Sequence, residues 1–195
     1  MDYGRYDPVI DTTAFPNTPT HGFWSSTSDA GTAGKAWDVY FKNGNVSHYN
    51  KGDRLYARCV RLGPATLPEQ RFIQKEYVQN QPVVMDMATG LMWEKQYVTG
   101  KTWRQALAYC EGLDYGGFDD WRLPNINELR SLINYAKHDP ASDFPDMPSD
   151  YLWSSTSNVV AADYAWAVVF SNGNVQTYNK GNEYTVRCVR SGPYW

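Results

Sequence analysis

YLWSSTS, Tyr151 to Ser157, is the stretch whose reading decides the fold, because FWSSTS already stands at Phe23 to Ser28. The match extends both ways at one offset, from Phe144 to Arg190 against Phe15 to Arg61, 129 residues earlier. Each copy carries FP, then WSSTS, AW-x-V-x-F (Ala36–Phe41; Ala165–Phe170) and NGNV (Asn43–Val46; Asn172–Val175). YNKG (Tyr49–Gly52; Tyr178–Gly181) and RCVR (Arg58–Arg61; Arg187–Arg190) follow in both. No residue is inserted or lost between them. Only the second copy has a long, helix-bearing segment in front of it. The chain is therefore read as a repeat, with residues 83–195 a complete domain and 1–64 the C-terminal half of another. Residues 65–82, rich in proline and polar residues, are the expected linker running into a first strand.

Working outward, residues 83–93 predict a strand, a turn at Ala88-Thr89-Gly90 and a second strand. Two helices are expected next. Thr102-x-x-Gln105 is a capping box, and Trp103, Ala106, Leu107 and Cys110 then make one apolar stripe before Gly112. Asn125-x-x-Glu128 opens the second helix, whose stripe runs through Ile126, Leu129, Leu132/Ile133 and Ala136 to Asp139-Pro140. Asp2–Pro8 resembles Asn134–Pro140, the end of that helix. Asn43-Gly44 and Asn172-Gly173, each between alternating runs, predict hairpins with type I′ turns. Trp37, Val39 and Phe41 match Trp166, Val168 and Phe170, so the shared set is expected to face inward. The differing set, Asp38/Ala167, Tyr40/Val169 and Lys42/Ser171, is expected to face outward.

The 195 residues include 8 Trp, 15 Tyr and 7 Phe, which suits a small β-rich domain with a core of large rings. A net charge of −3 with interspersed signs offers no basic field for nucleic acid. No apolar run is long enough to span a bilayer, so membrane insertion is not expected. The cysteines are Cys59, Cys110 and Cys188. A Cys110–Cys188 bridge would close a long loop, and buried reduced thiols are the alternative reading. Cys59 matches Cys188, and its helix partner is expected upstream of Met1.

TGLMWEK (Thr89–Lys95), AYCEGL, GGFDDWRLPNINEL (Gly116–Leu129), YLWSSTS and VRCVR together resemble the family of the C-terminal domain of the Legionella collagen-like adhesin. The resemblance implies an α+β, C-type-lectin-like fold: two helices packed on a small twisted antiparallel sheet. It implies a cystine from the first helix to the last strand, hence Cys110 to Cys188. It also implies an exported, extracellular or cell-surface recognition module. The namesake binds sulfated polysaccharides, a ligand class that a net charge of −3 opposes.

Catalytic groupings are not expected. His21, His48 and His138 stand apart from any pattern that would activate a nucleophile, and no glycine-rich phosphate loop occurs. The EPN, QPD and WND strings of calcium-dependent sugar lectins do not occur either. Asp119, Asp120, Asp143, Asp146 and Asp150 could gather around an ion, but they read better as solvated turn residues, and no cofactor or metal is expected. Trp24, Trp153 and Trp121 are expected in the core, with Asp119, Asp120 and Arg122 pairing as a fixed loop.

What remains is a presented surface. The copies differ at 158–164 and 182–185, and outward hairpin positions Val169, Ser171 and Gln176 join them. The expected ligand-binding residues are Asn158, Asp163, Tyr164, Ser171, Gln176, Asn182, Glu183 and Tyr184, a mix of rings and adaptable polar groups. A glycan or a protein is the expected ligand. A second expectation is structural: a subunit of a surface filament or tandem array binding copies of itself through an apolar face left uncovered in the first copy.

Overall fold

The computed structural model describes residues 1–60 and 70–192. Arg61 and the first part of the expected linker lie outside them. Among the described residues, twelve strands and two short helices follow in order. The first copy gives β1 (Gly22–Ser28), β2 (Lys35–Tyr40) and β3 (Val46–Asn50). Then come β4 (Phe72–Glu76), β5 (Pro82–Asp86), β6 (Leu91–Glu94), β7 (Val98–Lys101), α1 (Trp103–Glu111) and α2 (Ile126–Arg130). The second copy closes with β8 (Tyr151–Ser157), β9 (Tyr164–Val169), β10 (Asn174–Asn179), β11 (Tyr184–Val186) and β12 (Val189–Ser191).

The strands form an eight-stranded sheet, ordered β1-β2-β3-β10-β9-β8-β11-β7, and a four-stranded one, β12-β6-β5-β4. This overturns the expected two-helix α+β arrangement: the protein is mostly β. Three things make the difference. The first copy adds three strands to the main sheet through β3 and β10. Phe72–Glu76, inside the expected linker, pairs along its whole length with β5. The second helix stops after five residues instead of reaching Ala136.

Side chains end that helix. Ser131 Oγ donates to the Glu128 carbonyl at 2.7 Å, and Asn134 Oδ1 accepts from Ala136 N–H at 3.0 Å. Ile133 bridges Ser142, and Asn134 N–H donates to Ala141. Ser and Asn thus offer the backbone an alternative to further turns, and Ala136 ends up exposed. The first helix keeps its expected bounds, with Gln105 Oε1 accepting from Thr102 N–H at 2.9 Å.

The hairpin turns also differ from expectation. Gly44 (φ +84°) and Gly173 (φ +88°) adopt positive φ, but Asn43 and Asn172 do not. The loops are four residues long, closed by Gly173 N–H to Val169 C=O at 2.7 Å and its equivalent, Gly44 to Tyr40, at 2.8 Å. Each Asn instead caps the turn, accepting from the N–H two residues on at 3.0 or 3.1 Å.

Alternation in β9 holds, but neither face is outward. Trp166, Val168 and Phe170 enter one core with Leu129, Leu132, Phe144 and Trp93. Ala165 and Ala167 enter a second with Ala106, Cys110, Trp153 and Cys188 beneath α1. Val169, expected outside, is buried. A strand covered on both sides reads as a continuous apolar run, and AWAVVF is one.

The two copies meet along a local two-fold. Val46 in β3 pairs antiparallel with Val175 in β10, its own counterpart. Tyr3 packs edge-on to Trp166 of the second copy at 4.6 Å. Its counterpart Tyr135 sits 4.7 Å from Trp37 of the first. One core cluster therefore contains Tyr3, Trp37 and Val46 together with Trp166 and Val175.

Candidate functional site

β8 and β11 run parallel, with Thr185 opposite Leu152, so Tyr151 and Tyr184 come side by side on one face. Their rings stack at 4.8 Å with an interplanar angle of 21°. Tyr178, on β10 opposite the small Ala165, meets both edge-on, at 5.2 Å from Tyr151 and 5.4 Å from Tyr184. Trp153 supports Tyr184 from below at 4.7 Å and is fully buried. Tyr151 is 36% exposed, while Tyr178 and Tyr184 are half-buried. The result is a platform of three tyrosine rings on a tryptophan base.

The rim is polar. Asn182 Nδ2 donates to the Tyr184 hydroxyl at 2.9 Å, and Glu183 is exposed beside it. Burial pushes the Tyr178 hydroxyl up to about 12, with the Tyr151 and Tyr184 rings adding to the shift. Burial also raises Tyr184, against the opposing Asn182 hydrogen bond. Both are neutral hydroxyls at physiological pH, able to donate and accept. The outer surface of such a ring cluster, edged by hydroxyl, amide and carboxylate groups, can pack on a ring and bond to its substituents.

A larger cleft, about 790 Å³, opens where the N-terminal segment meets α2, lined by Tyr3, Asn125, Asn127, Glu128, Thr156 and Ser157 among others. Much of its polar lining is engaged. Asn125 Oδ1 accepts from Glu128 N–H, Thr156 Oγ1 accepts from Ile126 N–H, and Glu128 takes both guanidinium nitrogens of Arg122 at 2.7 Å. It offers a ligand less than the tyrosine platform does.

The cystine closes the picture. Cys110 on α1 and Cys188 are bridged, tying the helix to the last strands, while Cys59 is exposed and unbridged. The Lcl C-terminal domain family matches residues 1–61 and 82–190, both copies. The chain belongs to this family. A search of the curated proteins gave no match.

The family's two matched segments carry different surfaces on one scaffold. Of the eight residues expected to bind, three belong to the platform and three to the loop that leads into β9. Asn182, Glu183 and Tyr184 form the platform and its rim. Asn158 is engaged in its own loop, where Oδ1 accepts from Val160 and Ala161 N–H. Asp163 lies on the same loop, held by Lys180 N–H to its carbonyl at 2.8 Å. Tyr164, 40% exposed, starts β9 beside it. Lys180 Nζ fastens this loop to Ser157 Oγ and the Ala162 carbonyl, 4.1 Å above the Trp103 ring. Ser171 lies two residues past Val169, the partner of Tyr151, and Gln176 stands opposite Ala167, two residues before Tyr178 on the same face. Gln176 thus borders the platform, while Ser171 sits in the turn between β9 and β10.

Sequence reasoning missed Tyr151 and Tyr178. Tyr178 recurs as Tyr49 in the shared YNKG, which made it look like scaffold. Tyr151 had a signal: its counterpart is Gly22, a ring against no side chain at all.

The loop aspartates are dispersed. Asp120 pairs with Arg190 and Asp146 with Lys95 at 3.0 Å. Asp143 pairs with Lys137, and Asp150 accepts from Thr185 Oγ1. Arg122 takes Glu128 rather than the expected Asp119 or Asp120. Among the described residues no three His, Cys, Asp or Glu side chains gather as metal ligands do. Trp153 and Trp121 are buried as expected, whereas Trp24 is half-buried at the open side of the first copy.

Proposed function

We propose that the protein is a non-enzymatic recognition or adhesion module acting outside the cell, and that it binds glycan through the tyrosine platform of the second copy. The observation that carries this reading is the partly exposed Tyr151–Tyr184 stack with Tyr178 at its edge. Rings held in place by a sheet bind with little loss of conformational freedom, and the Asn182–Glu183 rim supplies direction. The Cys110–Cys188 bridge and the family assignment both favour an oxidising, extracellular setting. Glycan-array screening of the whole chain tests it, with Tyr151→Ala/Tyr184→Ala as control. Loss of the array signal in that variant, with thermal stability largely kept, is expected. A signal that the double variant leaves intact removes the platform from the reading.

A second reading, self-association, rests on a groove of about 260 Å³ in the first copy, lined by Ile10, Phe15, Phe23, Val39, Phe41 and Val60 among others. In the second copy the matching positions, including Phe144, Leu152, Val168 and Phe170, are core. Sedimentation velocity decides between them: a concentration-dependent oligomer that Phe15→Ser disperses favours the array.

A further inference from the structure

The place that the tyrosine platform fills in the second copy is a hole in the first. Gly22 stands where Tyr151 does, Leu55 where Tyr184 does, and Asp38 where Ala167 does. The vacated space is a pocket of about 370 Å³, lined by Gly22, Asp38, Tyr40, Tyr49, Arg54 and Tyr56 among others. We propose that this pocket holds an amino sugar, its ammonium group against the Asp38 carboxylate and its ring between the tyrosines.

Asp38 carries the argument. It is 1% exposed, and its Oδ1 is buried without a hydrogen-bond partner among the described residues. A carboxylate in that position is strongly unfavourable unless something donates to it. Desolvation pushes its pKa up to about 6, which still leaves it ionised at neutral pH. An occupant that brings both positive charge and N–H donors answers both deficits at once. A neutral sugar hydroxyl would bring only a donor. A divalent cation would need several converging oxygens, and the lining holds one carboxylate.

The walls favour the same chemistry. Tyr40 and Tyr49 offer ring surface to an ammonium or to the apolar side of a pyranose, and Tyr56, stacked on His21 at 5.7 Å and on Phe23 at 5.4 Å, offers its edge. Arg54 and Tyr49 are exposed at the rim, where hydroxyls of a sugar would reach them. The pocket's volume, about 370 Å³, exceeds that of a lysine side chain, which sets a saccharide ring ahead of a basic peptide. This site is distinct from the platform of the second copy, and its test reads the two separately.

The experiment is calorimetric titration of the full chain with glucosamine, N-acetylglucosamine, glucose and Nα-acetyl-lysine methylamide. Glucosamine is expected to bind saturably, with N-acetylglucosamine and glucose at least ~30-fold weaker, the penalty for leaving a buried charge unpaired. Asp38→Asn should weaken glucosamine by a similar factor. Gly22→Tyr/Asp38→Ala, which writes the second copy's residues into the first, should abolish binding. Tyr151→Ala should leave it unchanged. Tyr49→Ala, at the exposed rim, should cost about tenfold and serves if Asp38→Asn does not fold. Absence of glucosamine binding, equal binding of glucose, preference for the lysine derivative, or indifference to both Asp38→Asn and Tyr49→Ala would each overturn the proposal.

Discussion

Val46 and Val175, the same position in the two copies, face one another across the seam that joins β3 to β10. Around that point the contacts are reciprocal, Tyr3 on Trp166 and Tyr135 on Trp37. Each copy thus completes part of the other's core, and the main sheet runs through both without a break.

The seam predicts that the two copies unfold together. Trp37 is 2% exposed, and Trp37→Ala should destabilise the whole chain by about 3–5 kcal/mol, the usual cost of emptying a buried tryptophan site. Equilibrium urea unfolding, followed by tryptophan fluorescence and far-UV circular dichroism, should give one coincident transition shifted to lower urea. Two separated transitions would mean the seam does not couple the copies.

The Cys110–Cys188 bridge spans 78 residues. In the chain-entropy treatment, opening a loop of that size removes about 4–5 kcal/mol. Cys110→Ser/Cys188→Ser should therefore lower the guanidinium midpoint markedly. In the native protein one thiol per chain, the exposed Cys59, should react with Ellman's reagent. A count of three reactive thiols would contradict the bridge.

Arg187 is buried over the Phe144 ring and donates to the carbonyls of Glu94, Lys95 and Asp146. Desolvation lowers its pKa to about 10, opposed by Glu94. Glu94, also buried, accepts from the Tyr109 hydroxyl at 2.8 Å and from Cys188 N–H at 3.1 Å. Arg187→Met should cost about 3–5 kcal/mol, because three carbonyls lose donors and the Glu94 charge is left uncompensated. Arg187→Met/Glu94→Gln should recover part of that loss, read as the coupling in a double-mutant cycle.

Asp38 predicts an unusual pH dependence. Its folded pKa, about 6, lies above the 3.8 of a free aspartate, so the folded state holds the proton more tightly. The carboxyl is no burden below about pH 4. It opposes folding progressively as pH rises from about 4 to about 6, by at most about 3 kcal/mol. Asp38→Asn should flatten that part of the stability curve and raise the melting temperature at pH 7.5. A wild-type curve that Asp38→Asn leaves unchanged in this window would show that the carboxylate finds a partner in solution.

The repeat and the first helix with its capping box were legible because each is carried by local words, WSSTS and Thr102-x-x-Gln105, and the cystine because the family resemblance implies it. The shortened second helix was not. The apolar stripe through Ile133 and Ala136 kept helical spacing, while Ser131 and Asn134 bonded their own backbone and a pairing with Ser142 took over. β4 was hidden in the same way, since Phe72–Glu76 shows little alternation and is a strand only because β5 lies beside it. As for the site, the loop end of the second copy was visible in the differences between copies. The platform was not, since its rings come from three strands that a linear reading cannot set in parallel register. Buried Asp38, taken as outward-facing, shows the same blindness to what covers a strand.

The seam has a consequence for how such a chain can change over generations. A copy whose large rings are seated against its sibling draws part of its interior from that sibling. Positions such as Gly22 and Asp38, whose counterparts Tyr151 and Ala167 pack the sibling, are thereby released to drift toward new chemistry. A repeat docked in this manner is a sheltered testing ground, with one copy keeping the pair folded while the other's exposed side is rewritten.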